Sequence, residues 1–235
     1  DIAYDDDEEE KNVEARLIRK LPLSPLAIAK ENGHSSIALL LEGHFYPLLA
    51  ATKAGDVDAM ALLLDGGAAV DQSNGDATPL YIACEKGRVN AARLLLDKGA
   101  EVDRATKDGQ TPLFAACTNG HVDVAQLLLD RGAEVEHTSI WRELEGVTSL
   151  MVATFGGHID LMRLLLERGA ELDVITETQG ETALLVACAC GHIDAARLLL
   201  ERGADDTRAA TSGPGRGMDA LALAKYTKRA AVVAL

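Results

Sequence analysis

Four histidines share one local setting: His34, His121, His158 and His192 each follow a glycine. Imidazoles in series are raw material for a metal site or for proton transfer. Four cysteines, Cys84, Cys117, Cys188 and Cys190, add soft donors. A structural zinc site, however, draws on paired Cys or His at short spacings, and Cys188–Cys190 is a C-x-C without a second pair. No Ser-His-Asp grouping, no pair of buried carboxylates and no G-x-G-x-x-G after a strand emerges. The glycine-rich stretch 212–217, Ser-Gly-Pro-Gly-Arg-Gly, lacks both the preceding strand and the lysine of a phosphate-binding loop. The residues point away from catalysis, and no metal or cofactor is expected. Whether the histidines and cysteines can meet at all depends on the elements that carry them.

Those elements repeat. Residues 78–100 read TPLYIACEKGRVNAARLLLDKGA and 111–133 read TPLFAACTNGHVDVAQLLLDRGA. Residues 148–170 read TSLMVATFGGHIDLMRLLLERGA and 182–204 read TALLVACACGHIDAARLLLERGA. The leading threonines, Thr78, Thr111, Thr148 and Thr182, step by 33, 37 and 34 residues. Each threonine suits a helix N-cap, and Pro79 and Pro112 suit the first helical position, where a missing N–H costs nothing. A short apolar helix then ends at Gly87, Gly120, Gly157 or Gly191, residues able to take a left-handed turn. The second helix carries an acid in its first turn at Asp123, Asp160 or Asp194, favourable to the helix dipole. It closes at Gly99, Gly132, Gly169 or Gly203. Val122, Ala125, Leu128 and Leu129 form an apolar stripe that one hairpin cannot bury alone, so neighbouring hairpins must stack.

This pattern resembles the ankyrin repeat, with its period of 33 and its opening T-P-L-H-x-A. The resemblance implies an all-α solenoid of helix-turn-helix hairpins with short β-turn fingers. Five repeats span 45–204, and 205–235 hold a loop and a degenerate capping hairpin beginning at Ala220 to Ala224. Residues 21–44 form an atypical repeat or the end of a preceding array. Their inter-helix glycines, Gly33 and Gly55, stand only 22 residues apart. Residues 1–20 read as an acidic extended segment. In such a stack equivalent positions lie about 10 Å apart. That is too far for the histidines to share an ion or for Cys84, Cys117 and Cys188 to pair. In the family this histidine braces the loop against its neighbour.

Composition agrees with thin layers of small residues: 48% apolar, but only 3% aromatic, with one tryptophan. Net charge is −14, and the seven acids at Asp1 and Asp5 to Glu10 leave −7 for the rest. Nucleic acid or an anionic membrane would need clustered Lys and Arg, so neither is expected as partner. No stretch approaches the ~20 apolar residues of a membrane span. Unpaired cysteines at core positions fit a reducing, intracellular setting, cytoplasmic or nuclear. The opening residue is Asp1 rather than Met, which fits a piece of a longer protein and leaves organelle import open.

Function in this family is exercised on the concave face made by finger tips and inner helices. Carried over by position, the contact residues are Asn74, Ala77, Glu85 and Lys86, then Lys107, Asp108, Gln110, Thr118 and Asn119. The next repeat supplies Trp141, Leu144, Glu145, Val147 and Phe155, and the one after it Thr178, Gln179, Glu181 and Ala189. The family's T-P-L-H histidine is replaced by Tyr81, Phe114, Met151 and Leu185. These side chains either pack between hairpins or make an apolar row on the same face. Four extra residues between Gly132 and Thr148 lengthen one finger, which carries Trp141. It either projects to a partner or folds back to shield its neighbours. A partner protein, bound by a scaffold or adaptor, is the first expectation; a regulatory or substrate-recruiting part of a kinase or ubiquitin ligase is the second.

Overall fold

The computed structural model of the chain describes residues 46–227 and residue 233. The proposed segments 1–20 and 21–44, His34 and most of the tail after Thr227 lie outside the described residues. Within them, hairpins follow one another: α1 (Pro47–Ala54) with α2 (Val57–Asp65), α3 (Pro79–Glu85) with α4 (Val89–Asp97), and α5 (Pro112–Asn119) with α6 (Val122–Asp130). A short hairpin of β1 (Ser139–Trp141) and β2 (Leu144–Val147) precedes α7 (Ser149–Phe155) and α8 (Ile159–Glu167). Then come α9 (Ala183–Cys190), α10 (Ile193–Glu201) and α11 (Ala220–Tyr226). The odd-numbered helices pack in one layer, α1 on α3 and so on to α9 on α11. The even-numbered helices α2 to α10 pack in a second. The all-α solenoid expected from the period is what folds.

Local chemistry sets each hairpin. The hydroxyls of Thr78, Thr111, Thr148 and Thr182 accept from the backbone N–H of Tyr81, Phe114, Met151 and Leu185 at 3.2–3.3 Å. Helix α1 has Tyr46 in the cap position and no side-chain cap, the consequence of its lost threonine. Gly120 and Gly191 close the first helices at φ 79°, where a Cβ would strain the turn. The core is a continuous Leu/Ala seam through both layers, from Leu48 and Met60 to Leu223 and Ala224. Within the expected α6 stripe, Ala125 and Leu128 are fully buried, but Val122 is 37% exposed. It stands on the first helical turn, and Val124 is buried in its place.

Adjacent repeats are also tied by a repeated polar contact. The carboxylates of Asp71, Asp103, Glu136 and Asp173 accept the backbone N–H of Glu101, Glu134, Glu171 and Asp205 at 2.9–3.2 Å. Ion pairs Lys98–Asp65, Arg131–Asp97 and Arg168–Asp130 join successive second helices at 2.7–2.9 Å. All are exposed, so each contributes little to stability.

Candidate partner-binding surface

The histidines brace the stack. His121 Nε2 lies 3.1 Å from the Glu85 carbonyl and His192 Nε2 lies 2.9 Å from that of Phe155. A carbonyl only accepts, so the ring nitrogen donates, joining each loop to the preceding first helix. The rings of His121, His158 and His192 fill the space beside Gly87, Gly120 and Gly157. None of the Cys84, Cys117, Cys188 and Cys190 thiols is joined in a disulfide. Burial raises the first three, Cys117 to about 12 and Cys188 to about 11. Among the described residues, no group of three His, Cys, Asp or Glu could hold a metal ion, and no helix is long and apolar enough to cross a membrane.

The row in place of the family histidine is corrected by the structure. Phe114, Met151 and Leu185 are 1–3% exposed, so they are packing residues rather than an apolar stripe open to a partner. Each follows its threonine by three residues on the first helical turn, which faces the neighbouring hairpin. Val147, also offered as a contact, is 2% exposed because β2 turns it into the stack. Tyr81 is half-buried, and its hydroxyl donates to Gln110 Oε1 at 3.0 Å. Burial, aided by Glu85, Asp76 and Asp108, pushes that phenol to about 12, so it stays a donor. Gln110 spends its other end too, Nε2 donating to the Ile140 carbonyl at 2.9 Å. Gln110 therefore ties fingers together and has no free end for a partner.

The remaining contact residues sit on or beside the fingers. Lys86, Lys107, Asp108, Asn119, Glu145 and Phe155 are exposed, and Glu85, Thr118, Trp141 and Leu144 are half-buried. Thr118 donates to the Phe114 carbonyl at 2.9 Å and the Asn119 amide to that of Ala115 at 2.8 Å. Finger is joined to finger along the backbone. Ile140 N donates to Asp108 O, Glu177 N to Glu145 O and Thr211 N to Gln179 O, all at 2.8–2.9 Å. The glycine-rich stretch completes this row as a final finger: Gly217 N returns to Ala210 O, and Ser212 Oγ donates to Thr178 O.

The long finger is a β-hairpin, in register at Ser139–Val147 and Trp141–Leu144, with an irregularity between them. Its two-residue tip is Arg142 and Glu143, at φ 51° and 68°, the only described non-glycine residues in the left-handed region. Trp141 turns back onto the inner layer: its ring meets that of Phe155 edge-on, centroids 4.9 Å apart and planes at 78°. The Arg142 guanidinium lies 4.5 Å from the Trp141 ring centre and 4.6 Å from that of Phe155. Beside this cluster a pocket of about 590 Å³, open mouth included, runs towards α9. Leu144, Met151, Val186, Ala189 and Cys190 wall it, and Glu181 stands at its polar side. Burial raises the Glu181 carboxyl above its ordinary range. Val186, Cys190 and Arg142 were not among the residues picked out by position. Only the pocket shared by the hairpin and α9 reveals them, since Arg142 stands 44 residues from Val186 and 48 from Cys190 in the chain.

A family model described as ankyrin repeats (3 copies) matches residues 28–106, 48–139 and 136–210. The chain belongs to the ankyrin-repeat family. No curated protein matches it. Ankyrin repeats are, as a class, protein–protein interaction modules, and this ankyrin array carries an aromatic pair at its long finger.

Proposed function

We propose that this chain is a non-enzymatic recognition module, a scaffold or adaptor that docks a partner protein on the face built by its fingers and first helices. The site is centred on the hairpin 139–147, with Trp141, Leu144, Glu145 and Phe155 as its core and Lys107, Asp108, Lys86 and Asn119 along its margin. The observation that carries this reading is the Trp141–Phe155 pair beside an open apolar pocket. Aromatic anchors set against a pocket dominate the energy of many protein interfaces. Phe155 remains 37% exposed although its ring meets Trp141 edge-on, so part of this apolar surface is left to a partner.

The test is a comparison of the proteins retained by the immobilised wild-type chain and by Trp141→Ala, followed by titration of the retained protein against both. The expected result is a partner bound by the wild type and weakened by at least ~2 kcal/mol in the variant. Equal affinity for both would remove the hairpin from the site.

A further inference from the structure

The chemistry of the pocket points to one kind of group. Its walls, Leu144, Met151, Val186 and Ala189, suit an alkyl stem, while its polar end offers a carboxylate, Glu181. Among the described residues no Lys or Arg pairs with Glu181, nor with Glu145 and Glu177, which meet at the adjoining finger tips. The only base on the pocket's lining is Arg142, and its guanidinium is taken up by the two rings. The aromatic pair thus already accepts a planar cation from within the chain. Arg142 is held beside the rings by the hairpin turn, in which it takes a left-handed backbone at φ 51°.

We propose that the pocket receives an arginine or lysine side chain from a basic segment of the partner. The stem runs along Leu144, Val186 and Ala189. The cationic head lies against Trp141 and Phe155, in place of Arg142, and pairs with Glu181. Cation–π contact and a charge-assisted hydrogen bond in a partly desolvated site reinforce one another, and Glu145 and Glu177 extend the same sign of charge to the flanking residues of the segment. This rests on the docking reading above and specifies its partner: basic, extended, with one long cationic side chain inserted. An acidic segment would meet three unpaired carboxylates, and a purely apolar one would leave Glu181 buried without a counter-charge.

Trp141 is the single tryptophan of the chain, so its emission reports on this site alone. The experiment titrates the full 235-residue chain with three capped nonapeptides that differ only in a central Arg, Leu or Glu. The Arg peptide is expected to shift Trp141 emission at the lowest concentration. Glu181→Gln should weaken it about tenfold, the worth of a hydrogen bond to a charged group. Arg142→Ala, which removes the internal competitor, should strengthen it about two- to fivefold. Circular dichroism checks that each variant is folded, and Arg142→Ala at the exposed tip gives an independent readout if Glu181→Gln is not. A Leu peptide that binds as well as the Arg peptide overturns the cation inference but leaves the docking reading standing. So does a preference for the Glu peptide, which would make Arg142 the recognition group. Unaltered emission with every peptide overturns the inference. The docking reading then stands or falls separately, on partner binding by Trp141→Ala.

Discussion

Two fingers of the same stack solve one problem differently. In the finger 101–110, Thr106 N donates to Gln110 O and Gly109 N to Thr106 O, both at 3.0 Å. Gly109, at φ 74°, takes the left-handed position that the turn demands. The finger 134–147 has four more residues, which pair as a hairpin and place Arg142 and Glu143 in that backbone region instead. The helices on either side keep their lengths, nine residues in α6 and α8 and seven or eight in α5 and α7. Across the insertion α5 still packs on α7, and α6 on α8. Its gain is a Trp141 ring turned onto Phe155 and a pocket beside that ring pair. Stability resides in the stack common to both fingers, and the strain and the aromatic surface reside in one.

That division can be broken most directly in the core. Leu128 on α6, in the hairpin that separates the two fingers along the chain, is fully buried in the core. Leu128→Ala should cost ~2–5 kcal/mol in denaturant or thermal unfolding. Leu62→Ala, at a site 75% exposed, should change stability by no more than about 0.5 kcal/mol. A silent Leu128→Ala would mean that the stack does not carry the fold. At the long finger the order reverses. Trp141→Ala should lose at least ~2 kcal/mol of partner affinity, against roughly 0.5–1.5 kcal/mol of stability for the ring pair. A melting loss larger than the affinity loss would make the hairpin a shield.

The two turns supply a matched pair of smaller effects. Gly109→Ala puts a side chain at φ 74° and should destabilise by about 1 kcal/mol. Glu143→Gly removes one from φ 68° and should stabilise, by about 1 kcal/mol or somewhat less, since glycine also gains freedom in the unfolded chain. Chemical denaturation of both variants checks the signs. Like signs would refute the assignment of strain to the long finger alone.

Much of this was legible beforehand for physical reasons. Thr78 and its equivalents had to cap helices, and the glycines after them had to turn, because local backbone chemistry permits little else; the structure has both. The seam of Leu and Ala was legible because its period is short. The hairpin was not, because its tip is Arg142-Glu143 rather than the Asn-Gly or Asp-Gly that announces such turns. Whether Phe114 and Met151 pack or face a partner stayed open, because their facing depends on the neighbouring repeat, which the residue types within one repeat do not fix. The link from Trp141 to Cys190 across the pocket is tertiary and left no local trace. The His34 repeat lies outside the described residues.

The smallest expected effect is electrostatic, and it ties the long finger to its neighbour. Glu181 belongs to the finger after the hairpin, yet Trp141 and Leu144 share its pocket and help keep water from it. Burial raises its carboxyl above the ordinary ~4.3. A carboxyl whose folded value is raised favours the folded state when protonated. Its contribution is therefore fully present below the ordinary range and is lost as pH rises through the raised value. Glu181→Gln should match the wild type in melting temperature near pH 4 and exceed it near pH 7. The difference between the two chains, rather than either profile, is the quantity to measure, because Asp71, Asp103 and Glu136 are also raised by burial and titrate in both. Excising residues 141–144 restores an ordinary finger and opens Glu181 to water, so the pH-dependent gap should then close. A gap that persists in the shortened chain would mean that α9 and its own finger, not the hairpin, bury Glu181. The pocket would then be a property of the ordinary repeat rather than of the insertion.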